Sequence, residues 1–252
     1  MNILISNDDG IESPALKPLV SRLVKNHNVL IVVPDGNRSG LSHSLSFYKN
    51  LTILKRNDIC GAQTYTVSGT PADCVKFASH VLTDFKTDLV LAGINLGHNL
   101  GTDVLYSGTV SAAIEGATLG YKSMAFSSVS HEGGDLDYCA EITVKLIDVL
   151  YKDLTNNFIW NVNIPDLPKE QIKGYKVTPL GKQLYSDNYK KVSENEYVLI
   201  GKPQKNHENP EDCDVEWSSK GYVTLTPILY NKTDFTKIYE YKDKIEKTYK
   251  SL

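Results

Sequence analysis

Two adjacent carboxylates, Asp8 and Asp9, stand in the stretch ISNDDGIESP (residues 5–14), directly after a run of apolar residues. Neighbouring like charges raise the cost of ionising each other. Unless both are simply solvated, something must compensate them, and a bound cation is the first candidate. Taken alone, the pair is also what an ordinary strand-to-helix turn looks like, because Asn and Asp are frequent there. Two further stretches carry the same flavour. PDGNRSGLSHS (residues 34–44) offers Asn37, Arg38, Ser39 and Gly40. GINLGHNLGTDVLYSGTVSAAIEG (residues 93–116) alternates Asn95, Asn99 and Asp103 with Gly97 and Gly101. So many glycines suit neither a helix interior nor a strand, so a closely packed loop is expected. Ser107, Gly108 and Thr109 then open an alanine-rich helix, where free amides make an anion site. Plain N-capping by Ser107 is the simpler reading and does not exclude the other. Arg38 reads equally as a phosphate clamp or as a solvated surface arginine. A G-x-x-x-x-G-K phosphate loop is absent, since no lysine follows the glycines.

These three stretches must be positioned by something, and the chain around them alternates strand and helix. Residues 2–6 and 29–33 are short apolar runs of the buried-strand kind. Between them, Ser13 and Pro14 read as an N-cap and first helical position, followed by Leu16, Leu19, Val20, Leu23 and Val24 at helical spacing. The pattern predicts antiparallel strands or an excursion over 45–67, a helix over 71–82, a strand over 88–94 and a helix over 107–119. A strand over 122–127, a helix over 137–151 and a strand over 158–165 follow. Such alternation argues an α/β protein with a doubly wound, mostly parallel sheet. In that architecture ligands sit beyond the carboxyl ends of the strands, where all three stretches fall. Carboxylates with amide and hydroxyl oxygens are a hard-cation set, suited to magnesium or manganese rather than zinc.

After Pro165 the composition changes to strand-like pieces with polar inserts over 174–231, an exposed loop over 206–214, a returning strand over 222–227 and a terminal helix over 234–249. The expected organisation is a catalytic core over 1–165 and a β-rich extension with terminal helix over 166–252, integrated into one domain. Phe235, Ile238, Tyr241, Ile245 and Tyr249 form an apolar stripe on the last helix. Packing on its own domain is the preferred reading, with a dimer contact second.

The 252 residues are 41% hydrophobic and 23% charged with a net charge of -3, which gives no basic footprint for nucleic acid. Cys60, Cys74, Cys139 and Cys213 form no C-x-x-C pair, so scattered reduced thiols are expected. The N-terminus turns acidic too early for a signal peptide, and no apolar run is long enough for a membrane span. A cytoplasmic location is expected.

The strings NILISNDDGI, VVPDGNRSG, VSGTPADCV, GINLGHNLGTDVLYSGTVSAAIEG and GYVTLTP resemble the SurE family, the survival-protein-E nucleotidases. The resemblance runs in order over most of residues 1–127 and returns near 214–227. It implies a Rossmann-like core and a metal-dependent phosphatase acting on nucleoside 5′- or 3′-monophosphates, sometimes also on short polyphosphate. It further implies homodimers or homotetramers built partly from an exchanged C-terminal arm. By the same resemblance Asp8, Asp9, Ser39 and Asn95 match the family's metal ligands, and Asn37, Gly40, Ser107, Gly108 and Thr109 match positions around its phosphate site. Asp214 matches an acidic position before the Gly-Tyr-Val strand. The chain departs from the pattern at Glu216 and Trp217 and over 127–137.

The reaction expected is phosphomonoester hydrolysis, with the metal polarising a phosphoryl oxygen and Ser107, Gly108 and Thr109 stabilising charge on the others. Asp8 or Asp9 is the candidate base. His43 and His98 lie in the same loops and read as solvated or structural. Three other readings of paired acids stand beside this one. A phosphatase with an aspartyl nucleophile wants Asp-x-Asp after the first strand, where Asp-Asp-Gly stands. A phospho-receiver module wants an Asp at the end of the third parallel strand, where Ile94 and Asn95 stand, and about half this length. The last is a nucleotide-binding protein without turnover.

Overall fold

The computed structural model describes residues 1–129, 134–205 and 208–249. Its first half reads β1 (Asn2–Ser6), α1 (Leu16–Leu23), β2 (Asn28–Pro34), β3 (Ile53–Ile59), β4 (Ala62–Val67), α2 (Pro71–Val81) and β5 (Leu89–Leu96). A 3-10 turn (Gly101–Leu105), α3 (Gly108–Thr118), β6 (Lys122–Ser128), α4 (Leu136–Leu150) and β7 (Phe158–Ile164) complete the alternating part. Then come β8 (Tyr175–Val177), β9 (Leu184–Tyr185), β10 (Asn188–Lys191), β11 (Tyr197–Ile200), β12 (Pro203–Gln204), α5 (Asp214–Ser219), β13 (Val223–Leu229) and α6 (Phe235–Tyr249).

One sheet runs in the order β3-β4-β2-β1-β5-β6-β7-β13-β8. From β4 to β7 every neighbouring pair is parallel. β3 is antiparallel to β4, and β13 returns antiparallel to β7. The central strands read as unbroken apolar runs because both of their faces are covered. Ile3 and Ile5 pack with Leu19, Val20 and Leu23 of α1 and Ile142 and Ile147 of α4. Leu4, one residue out of phase, packs with Val75 of α2 and Val110 and Ala113 of α3. Each such side chain, fully buried, contributes roughly 1.5–3 kcal/mol relative to leaving it in water. The chain steps from β1 outward to β2 on one side and later to β5 on the other, so the order reverses between β1 and β5. That reversal opens a crevice at their carboxyl ends.

Local boundaries differ from the sequence pattern in instructive ways. Helix α1 begins at Leu16 with Ala15 as its cap, and no side chain caps it. Ser13 and Pro14 lie in the preceding turn, where Leu16 N donates to Ser13 O at 3.2 Å and sets the entry. Strand β5 runs on through Asn95, past an irregularity between Ala92 and Asn95, and Asn95 pairs with Ser127. Asn95 is therefore strand end rather than loop. Of the loop expected over 206–214, residues 206–207 lie outside the described residues, and Cys213 and Asp214 are buried at the start of α5. Of the departure over 127–137, residues 130–133 lie outside them too. The stripe on α6 does not pack on its own domain as preferred: Phe235, Ile238, Tyr241 and Ile245 are all exposed. The amphipathic pattern dictates a helix but not its partner.

Candidate active site

The carboxyl end of β1 runs into Asn7, a fully buried side chain that closes the next turn. Its Oδ1 accepts from Gly10 N at 3.0 Å and its Nδ2 donates to Gly10 O at 3.1 Å. Gly10 has φ 85°, and a Cβ there would stand 2.8 Å from the Gly36 carbonyl carbon. Only glycine lets the β1 and β2 loops approach this closely. Between Asn7 and Gly10 the turn presents Asp8 and Asp9.

Asp8 is buried and points at the start of α3. The Thr109 hydroxyl donates to its Oδ1 at 2.6 Å. A Cβ on Gly108 would lie 2.9 Å from the Asp8 Cβ, so glycine makes room for the carboxylate. Burial pushes the Asp8 carboxyl up, against the pull of the Thr109 hydroxyl and the backbone of Thr109 and Gly108. Asp9 accepts from Leu96 N, at the end of β5, at 3.2 Å. Burial, and after it the charge of Asp8, push Asp9 up to about 6. Among the described residues neither carboxylate has an ion-pair partner. Arg38 does not supply one: it pairs with Asp35 at 2.6 Å. Its backbone N–H instead donates to Asp8 O at 2.7 Å and ties the β2 loop to the β1 loop.

A cleft of about 480 Å³ opens here, lined among others by Asp8, Ser39, Gly40, Asn95 and Ser107. Asn95 Nδ2 donates to Gly97 O at 2.8 Å, which commits its nitrogen and leaves the amide oxygen for a cation. Ser39 is oriented by its own N–H donating to Asn37 Oδ1 at 3.0 Å. Ser107 caps α3, its Oγ accepting from Val110 N at 3.0 Å. Asp9, Asn37, Gly108 and Thr109 are not among the residues lining the cleft: Asp9 accepts from the β5 backbone, the exposed Asn37 accepts from Ser39 N, and the other two lie against Asp8. Among the described residues no three His, Cys, Asp or Glu side chains cluster as a metal site. An ion here would draw on Ser39 and Asn95 as well as on the carboxylates, and all of these are the hard oxygen donors that magnesium and manganese take.

The family model for Survival protein SurE matches residues 3–187. The chain belongs to the SurE family. It is 41% identical over 248 residues to 5′-nucleotidase SurE of Clostridium botulinum (strain Alaska E43 / Type E3), covering 96% of this chain and 98% of that protein. It is 38% identical over 245 residues to 5′-nucleotidase SurE of Clostridium botulinum (strain ATCC 19397 / Type A), covering 95% and 97%. The crystal structure of SurE protein from Aquifex aeolicus superposes with a TM-score of 0.84 at 36% identity, over 98% of this chain and all of that one. That SurE structure and this chain thus share the α/β fold.

Several contacts around the SurE site escape a reading of the sequence. Asn161 and Asn163 both donate to Asn99 O, at 2.8 and 3.1 Å, and Asn163 Oδ1 accepts from Asn99 N at 2.8 Å. Two asparagines in phase on the otherwise apolar β7 were the available signal. Asp214, fully buried, accepts from Gly101 N at 2.8 Å, Gly181 N at 2.7 Å and Val215 N at 2.8 Å. Burial pushes its carboxyl up against those three donors. His43 is exposed and structural: it stands 2.8 Å from Glu115 of α3, which also pairs with Lys76 of α2 at 2.6 Å. Burial would raise Glu115, but these two partners outweigh it and hold the carboxyl low. The loop bearing Ser39 is thereby tacked to both helices. Trp217, one of the departures from the family pattern, packs edge-on against Tyr222.

Proposed function

We propose that this SurE-family chain is a divalent-metal-dependent phosphomonoesterase that releases phosphate from nucleoside 5′-monophosphates, with 3′-monophosphates as further substrates. Supporting this is one observation above all: the Asp8 carboxylate, with Asp9 next to it on the same turn and neither with a cationic partner among the described residues, meets Ser107 at the start of α3 in one cleft at the reversal of the strand order. The names of the relatives supply the nucleotide.

In this reading Asp8, Asp9, Ser39 and Asn95 hold one magnesium or manganese ion. When bound, that ion supplies positive charge that polarises a phosphoryl oxygen. Ser107 and Gly40 meet the phosphoryl group directly, the Ser107 hydroxyl donating while its oxygen caps the helix. Gly108 and Thr109 act through their hold on Asp8, and Asn37 through Ser39. The attacking water gives its proton to Asp8 or Asp9. Membership of a family whose named relatives are nucleotidases favours this over the phospho-receiver and aspartyl-nucleophile readings.

The same proposal divides the chain into a catalytic core over 1–165 and an extension over 166–252. It makes the extension an oligomerisation arm for a homodimer or homotetramer, which the exposed apolar residues Ile238, Tyr241 and Ile245 of α6 and Val198, Leu199 and Ile200 of β11 support. Among the described residues no helix is long and apolar enough to cross a membrane, and all four cysteines are free thiols, in keeping with a reducing cytoplasm. Phosphate release from a panel of nucleoside monophosphates, after chelation and after adding back manganese or magnesium, tests the function. Turnover that returns with the metal is expected; full turnover in the chelated protein refutes the metal dependence, and none under any condition refutes the enzyme.

A further inference from the structure

The cleft is larger than its phosphate end requires. At about 480 Å³ it lies in the range of pockets that hold a whole small molecule, roughly 300–1,000 Å³. Beyond the oxygen-lined wall its lining continues through His98, Asp103, Tyr106 and Tyr185. Three of these come from the loop between β5 and α3. The fourth, Tyr185, comes from β9 in the extension and stands more than seventy positions further along the sequence.

Tyr185 is not an incidental surface ring. Its hydroxyl donates to Asp103 Oδ2 at 2.7 Å, and His98 Nε2 lies 3.3 Å from both atoms. The strand that carries it is clamped to the site loop at two more points. Thr102 Oγ1 donates to Gln183 O at 2.9 Å. The two oxygens of the buried Asp214 bridge Gly101 N of the loop and Gly181 N of the extension. Held this way, Tyr185 keeps 36% of its surface exposed and Tyr106 keeps 64%, so neither ring is used up by packing.

We propose that these four side chains form the seat for the nucleoside part of the substrate, with Tyr185, delivered by the extension, as its specificity-determining wall. The proposal rests on the nucleotidase reading above and adds to it how a nucleotide is told from other phosphomonoesters. Aromatic faces stack any nucleobase, because every base has a π-face, so this wall selects for a base without selecting strongly among bases. The Asp103 carboxylate keeps acceptor capacity beyond its two present neighbours and suits ribose hydroxyls. A ring fixed in advance by the Asp103 bond loses little freedom when a base arrives.

The test compares kcat/KM for adenosine 5′-monophosphate with that for p-nitrophenyl phosphate, with manganese present, in the parent, Tyr185→Ala and Tyr185→Phe proteins. The ratio of nucleotide to p-nitrophenyl ester is expected to fall about tenfold in Tyr185→Ala, mainly through KM for the nucleotide. Phenylalanine keeps the ring face and restores the ratio to within about threefold. A ratio that Tyr185→Ala leaves unmoved overturns the proposal, as does a Tyr185→Phe protein that loses as much as the alanine variant. A second measurement needs no variant: free adenosine and uridine are expected to inhibit p-nitrophenyl phosphate hydrolysis by the parent competitively, and no inhibition at millimolar nucleoside also overturns it. The two levels separate cleanly. A parent that hydrolyses neither ester refutes the phosphatase reading along with the seat, whereas hydrolysis of both esters with an unmoved ratio refutes the seat alone.

Discussion

Asp9→Asn should make the metal-free protein more stable while abolishing its response to metal. In the folded chain burial and the neighbouring Asp8 charge lift the Asp9 carboxyl from its ordinary value of 3.8 to about 6. That is about two pH units, and each is worth about 1.36 kcal/mol, or about 3 kcal/mol in all. Asp9 is only partly buried, so solvent screening reduces this, and about 1–2 kcal/mol is the expected scale. The sign follows from proton uptake. Because the folded value lies above the unfolded one, the folded state binds the proton more tightly, and stability is lost as pH rises from about 4 through about 6. Asparagine removes that loss and can still accept the Leu96 N–H. At pH 7.5 with chelator, Asp9→Asn should therefore melt about 2–8 °C above the parent, and the gap should close towards pH 4. Asp214, also pushed up, is present in both proteins and cancels, while Asp8, whose charge interacts with that of Asp9, is relieved with it, so the difference reports the paired carboxylates. Manganese should raise the melting temperature of the parent by mass action and do little for the variant, which should have lost turnover. Calorimetric melts across pH, with chelator and with manganese, make the measurement. An Asp9→Asn protein less stable than the parent under chelation, or a manganese shift equal in both, would refute the reasoning.

Thr109→Val removes the 2.6 Å hydrogen bond to a buried carboxylate and should cost about 1–3 kcal/mol of stability, with a loss of kcat and weaker manganese affinity by titration; unchanged metal affinity would count against the role of Thr109 in holding Asp8. Asp214→Ala leaves Gly101 N and Gly181 N without their shared acceptor, and a denaturant melt should show a loss of about 2–4 kcal/mol. Replacing Ile238 and Ile245 of α6 together by Asp should shift the assembly towards monomer in light scattering after gel filtration, since both are exposed and apolar; an unchanged mass would remove α6 from the interface.

The alternating part of the fold was legible because its strands are buried on both faces and its helices on one. Ile3, Leu4 and Ile5 or Leu19, Val20 and Leu23 therefore announce themselves as local patterns. The oxygen-rich loops were legible for a related reason. Asn-Asp-Asp-Gly and Asn-x-Ser-Gly can only be turns at strand ends, and a doubly wound sheet brings such ends together. What stayed hidden depends on contacts between distant segments. No periodicity says that Thr109 will reach back to Asp8, that Glu115 will hold His43, or that Asp214 will bridge Gly101 to Gly181. Nor does local sequence say that Tyr185, on a strand of two residues, will wall a cleft made by loops from the core. The sequence by itself determined which residues bring carboxylate, amide and hydroxyl oxygens to the strand ends, because that is a matter of side-chain chemistry. Only the tertiary structure decided which of them line the cleft, because that depends on hydrogen bonds closed across 33 to 113 positions of chain.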